Sequence, residues 1–196
     1  MNLTSLKIVS GCAFLTLICS FMLSVDSVEA QGPQTDLFDE HLSSMQTGMT
    51  VLGGWALSNI VVGGVARRYV SGPQRYFHEM NAGWNAINLG IAALGYLTLP
   101  EVAPDSGLEA LKDLNRTDHV LIFNAGLDLA YMALGYGLME RGRRLDSPRY
   151  IGYGQSLLLQ GAFLFAFDAA LAYMHSDLTG RLRVYLIPPG LGASGP

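Results

Sequence analysis

Two carboxylates sit where a carboxylate is hardest to keep. Asp128 lies within HVLIFNAGLDLAYMALGYGLM, and Asp168 within IGYGQSLLLQGAFLFAFDAALAYMH. Both stretches are apolar enough to enter a bilayer, where an ionised aspartate costs ~2.5 to 3.5 kcal/mol on insertion scales, so each acid needs a partner or a proton. Counted inward from His119 and His175, the two acids lie ~10 to 14 Å deep at 1.5 Å per residue, and Asn88, counted from Leu99, reaches a similar level. Two acids at one depth can share a proton or enclose a cation. They can equally be neutral, hydrogen-bonded groups that fix helix register.

Amides extend this layer. In YFHEMNAGWNAINLGIAALGY (76–96), His78, Asn81, Asn85 and Asn88 fall within an arc of about 80° on a helix. A stripe of that kind facing lipid would strand several donors and acceptors, so it must face other helices. Asn124, Asp128, Tyr131 and Gly135 share an arc of about 60°. Gly154, Gly161, Asp168 and His175 recur at intervals of seven, the spacing of a packed seam. With Asn59 from an earlier apolar run, the interior layer comprises Asp128, Asp168, Asn88, Asn85, Asn124 and Asn59. His78, Asn81, Trp55, Trp84, Gly154 and Gly161 form the seams around it, the tryptophans as packing residues.

Three histidines, His41, His119 and His175, fall at one end of their apolar runs, with Asp118 and Asp177 near. Three imidazoles on one rim could hold a divalent metal, although no HxxxH or ExxH spacing supports the site. Bis-histidine haem is disfavoured, because His78 stands alone at the opposite end. No GxSxG, HExxH or paired nucleophile and base occurs, so an enzyme is not expected. No basic tract suggests a nucleic-acid partner.

The chain that must position these groups has 196 residues, 50% hydrophobic and 14% charged, against roughly 25% charged in soluble domains. Residues 1–30 read as a signal peptide: Lys7, an apolar run from Ile8 to Val25, then the small-x-small Val28-Glu29-Ala30. The alternative is an uncleaved fifth span. Val9-Ser10-Gly11-Cys12 is no lipoprotein site, since the apolar run follows the cysteine. Cys12 and Cys19 both lie in this segment, so the mature chain would carry no thiol chemistry. A polar arm (31–41) precedes spans at about 42–66, 76–99, 119–139 and 151–175, and a polar tail (176–196) follows them; each span has the ~20 residues a bilayer needs. Between the second and third spans, Ser106-x-x-Glu109 is a capping box ahead of LEALKDL, which predicts a short amphipathic helix at the interface. Glu79 is expected to pair with Arg75 or Arg68.

Arg67, Arg68 and Arg75 in one turn and Arg141, Arg143, Arg144 and Arg149 in another account for seven of the eleven basic residues after residue 30. That bias puts both turns in the cytoplasm and both mature termini outside. The expected fold is an all-α, four-transmembrane-helix bundle with a polar interior. Gly54-Trp55-Ala56-Leu57-Ser58-Asn59 and Gly83-Trp84-Asn85-Ala86-Ile87-Asn88 share GWxxxN, and Asn81-Ala82-Gly83-Trp84-Asn85 and Asn124-Ala125-Gly126-Leu127-Asp128 share NAGx(N/D); such echoes fit either a duplicated hairpin or chance.

Through GGWALSN (53–59) and YFHEMNAGWNAINLG (76–90), the chain resembles an uncharacterised family of small four-span bacterial inner-membrane proteins, a domain of unknown function. The resemblance implies four spans and an envelope location, and supplies no activity. The reading that follows is a non-enzymatic bundle acting as a scaffold, a homo-oligomer or a partner of another envelope protein. The alternative is a proton- or cation-coupled transporter or channel built on the aspartate pair. An outer-rim metal-binding protein is a distant third.

Overall fold

The computed structural model describes residues 33–100 and 106–186, and side chains from Asp36 onward. The expected signal segment, with both cysteines, lies outside the described residues. The described chain is four helices: α1 (Pro33–Ala66), α2 (Gly72–Leu97), α3 (Gly107–Arg144) and α4 (Pro148–Leu186). They form two sequential antiparallel hairpins joined by tight turns.

Both turns are built from residues that can leave helical geometry. At the first, Ser71 is extended, Gly72 takes a positive φ of 59° and Pro73 opens α2, where its missing N–H costs no helical hydrogen bond. At the second, Asp146 adopts φ 48°, and the Ser147 N–H reaches back to the Gly142 carbonyl at 2.9 Å. This is a Schellman-type stop in which an aspartate occupies the left-handed position that glycine usually fills. Pro148 then starts α4.

The helices are longer than the expected spans. α1 begins at Pro33 and so takes in much of the arm expected to be irregular, while α4 continues to Leu186, through the first half of the expected tail. The short interfacial helix is not separate: Ser106 accepts a hydrogen bond from the Glu109 N–H at 3.3 Å, and the helix it caps runs without a break into the third apolar stretch, to Arg144. A capping box marks where a helix starts and says nothing about where it stops, so the amphipathic turns and the apolar run fuse.

α4 is the axis of the bundle, packed along its length against α3 and then α2, while α1 lies chiefly on α2. The α3–α4 contact is a heptad seam on both sides. Leu114, Leu121, Asp128, Gly135 and Gly142 are buried on α3, and Gly154, Gly161, Asp168, His175 and Leu182 on α4. Glycine lets the backbones nearly touch. A Cβ built on Gly154 would collide with the Gly135 carbonyl oxygen, and one on Gly161 would lie 2.8 Å from that of Asp128. On the α2 side, a Cβ on Gly152 would collide with the Pro73 carbonyl oxygen.

α1, α3 and α4 are each long and apolar enough to cross a membrane.

Candidate functional site

Packing α1, α2 and α4 together closes a ring of polar side chains. The Trp55 indole N–H donates to Gln160 Oε1 at 3.1 Å, and the Gln160 amide donates to Asn81 Oδ1. The Asn81 amide donates to Asn59 Oδ1 at 2.7 Å, and the Asn59 amide returns to the Trp55 carbonyl at 2.8 Å. Each amide uses one donor and one acceptor in sequence, which a buried carboxamide can do and an ionised carboxylate, having no donor, cannot. Trp55 is held flat by Phe163, the rings parallel within 6° and 4.0 Å apart. Asn85, fully buried, donates to the Asn81 carbonyl at 2.8 Å.

Asp128 and Asp168 lie next to this ring in the α3–α4 seam, both buried. Side chains lean toward the N-terminus of their own helix. In an antiparallel pair, two such residues offset by one heptad lean toward each other, and the two carboxyls come within hydrogen-bonding reach. Among the described residues Asp128 Oδ2 is buried and receives no hydrogen bond, and a buried acceptor of that kind needs a donor. Asn88 is buried with its amide nitrogen unpartnered. Asn124 is half-buried, one turn from Asp128.

Trp84 stands edge-on to Tyr131 across α2 and α3, with ring centroids 4.9 Å apart. His78 is half-buried, packed edge-on against Phe77. Glu79, expected to pair with arginine, accepts instead from the Tyr153 hydroxyl on α4 at 3.5 Å, and the Arg149 guanidinium lies 5.3 Å over the same Tyr153 ring.

Of the three rim histidines, two meet and one does not. His41 and His175 pack edge to face, with centroids 4.7 Å apart. His119 is exposed on the outer side of α3. Its neighbour Asp118, 100° away around the helix, turns inward toward His175 instead, with Nδ1 to Oδ1 4.0 Å. A rim site built from His41, His119 and His175 is therefore not assembled, since one residue of helix rotation separates His119 from the other two.

Gln160 is the residue that sequence reasoning passed over. It completes the ring and is essentially inaccessible. The signal was present: Gln160 is the only amide in the apolar run from Leu157 to Phe167, and an amide there needs a partner.

No curated protein and no solved structure matches the chain. Residues 51–169 match the family of unknown function DUF6992, a stretch that holds the amide ring and the aspartate pair and leaves His41 and His175 outside. The chain belongs to the DUF6992 family of unknown function.

Proposed function

We propose that the protein is a four-span membrane bundle that acts without catalysis, as a rigid scaffold or partner for another protein of the bacterial envelope. The observation that carries the membrane part is a reversal of polarity along the bundle. Between the basic turns and the level of His41 and His175, the interior is rich in Asn81, Asn85, Asn88, Asp128, Ser156, Gln160 and Asp168. The exterior at that level carries Leu57, Val61, Ile87, Ile91, Leu94, Ile122, Phe123, Leu134 and Phe165. Polar groups inside and large apolar groups outside suit lipid and disfavour water.

The same reasoning makes α2 a fourth span. Its three buried asparagines lower its average hydropathy, yet the face it turns outward is Ile87, Ile91, Leu94 and Leu97. From 41 to 66, 80 to 100, 119 to 139 and 150 to 176 the only charged residue types are Asp128 and Asp168. Such belts of 21 or more residues match a hydrocarbon core of about 30 Å. The arginine-rich turns then face the cytoplasm.

Glycine-mediated backbone contact and a closed amide ring make an interior that holds its shape, which is what a scaffold needs. One observation favours a second reading: a buried acid pair, one oxygen of which lacks a donor, is a place to hold a proton or small cation. Liposomes loaded with wild type and with the Asp128→Asn/Asp168→Asn variant at equal density separate the two. The scaffold reading expects no proton or cation flux from either, and normal assembly of both by native mass spectrometry. Flux from wild type that the variant loses would overturn it in favour of the transporter.

A further inference from the structure

The end of the bundle away from the basic turns is organised the ordinary way round. Leu37, Leu114, Leu178 and Leu182 form a buried apolar cluster, and Asp39, Glu40, Lys112, Asp113, Arg116, Asp177, Arg181 and Arg183 are exposed around it. Arg181 pairs with Glu40 across α4 and α1. This is a water-facing head, and at its base, where the interior changes character, His41 on α1, His175 on α4 and Asp118 on α3 converge.

The His175 ring is fully buried, yet among the described residues neither of its nitrogens has a hydrogen-bond partner. Nδ1 of His41 and Oδ1 of Asp118 are likewise buried and unpartnered. Four orphaned ligand atoms from three helices, gathered in one place, are an anomaly, because buried polar groups are nearly always paired. The other oxygen of Asp118 accepts from the Thr179 hydroxyl at 2.8 Å. That bond aims Oδ1 at His175, in the way that residues behind a metal ligand orient it. A small cavity lined by His41, Asp113 and Pro100 lies beside the cluster.

We propose that His41, His175 and Asp118 bind one divalent transition-metal ion. Two imidazole nitrogens and one carboxylate oxygen form a borderline donor set that suits Zn²⁺ and its neighbours. Ca²⁺ and Mg²⁺ seek oxygen only, and Cu(I) seeks sulfur. Among the described residues no three such side chains already stand in coordinating positions. Between Asp118 and His175 the adjustment needed is small: ligand atoms on a tetrahedral zinc stand about 3.3 Å apart, against 4.0 Å between Asp118 Oδ1 and His175 Nδ1, and the His41 ring packs on that of His175 at 4.7 Å between centroids. The inference stands independently of the scaffold reading.

The test uses the full chain purified in detergent on a histidine-free tag, stripped with chelator and titrated with Zn²⁺, with Co²⁺ absorption as a report of geometry. The expected result is saturable binding of about one Zn²⁺ per chain, with the tetrahedral Co²⁺ spectrum of a mixed nitrogen and oxygen site. His41→Gln and Asp118→Asn should each weaken binding ~10-fold or more, whereas His119→Ala should leave it unchanged. His175→Gln removes a fully buried ring and can fail to fold, so His41 and Asp118, nearer the surface, carry the decision. No saturable Zn²⁺ binding by wild type, unchanged binding by Asp118→Asn, or loss of binding in His119→Ala would each overturn the assignment.

Discussion

The amide ring makes the strongest claim about individual residues, because each member has one partner on each side. Gln160→Leu fills the same space and removes the acceptor of the Trp55 indole N–H and the donor to Asn81 Oδ1, at a cost of about 1 to 3 kcal/mol. Trp55→Phe should cost less in the Gln160→Leu background than in wild type. Thermal unfolding in detergent of the two single variants and the double variant measures this coupling, and strictly additive losses would mean the ring is not one unit. Glycines offer a sharper contrast. Gly152→Ala and Gly154→Ala put a methyl against backbone oxygen, which cannot rotate away, and should destabilise by about 1 to 3 kcal/mol. Gly126→Ala and Gly83→Ala meet nothing within 4 Å and should be near neutral in the same melt. At this scale the sequence was half legible. Heptad spacing and helical arcs located the residues that turn inward, but which amide bonds to which depends on helix rotation. Asp118 and His119 show the limit, since adjacent residues of equal promise point 100° apart.

Among the elements, the turns bear the backbone constraints. Asp146 sits in a left-handed conformation that costs a β-branched residue ~1 to 2 kcal/mol. Asp146→Val should therefore lower the unfolding temperature, while Asp146→Gly should hold or raise it; equal melting of the two would show that the turn tolerates strain. Ser106→Ala removes the cap on α3 and should cost about 1 kcal/mol at most, read as faster amide exchange confined to the first turn after Gly107. Helix existence and order were plain in the apolar runs, but the starts were not: α2 and α4 begin at Gly72 and Pro148, several residues before the expected spans at 76 and 151. Nor were the ends. Polarity pointed to an arm, an interfacial helix and a tail, whereas the helices run through most of the arm, all of the amphipathic stretch from Gly107 and the first half of the tail, because a helix whose surroundings change needs only a changed surface and no changed backbone.

For the molecule as a whole, the reversal of polarity makes a prediction about position. Single cysteines at Ser71 and Ser147 should resist an impermeant thiol reagent applied from outside, and one at Ser106 should react; labelling of position 71 or 147 would invert the proposed orientation. α3 and α4 are 38 and 39 residues long, about 57 Å at 1.5 Å per residue, so each outlasts a 30 Å hydrocarbon core and must stand well clear of it. This follows from helix length and from where the charges resume, both of which composition alone leaves open.

The axis of the bundle, α4, is also the last of the four described helices in chain order. Until α4 is synthesised, Asn81 lacks Gln160, Asp128 lacks Asp168, and the glycine faces of α2 and α3 have nothing to close against. In the four-span bundle proposed above, a chain that stops before α4 would hold these polar groups toward lipid, a state that membrane proteases and chaperones can recognise. On that reading, chains truncated after Arg144 should be cleared from the membrane far faster than the chain that carries α4 in a pulse-chase experiment.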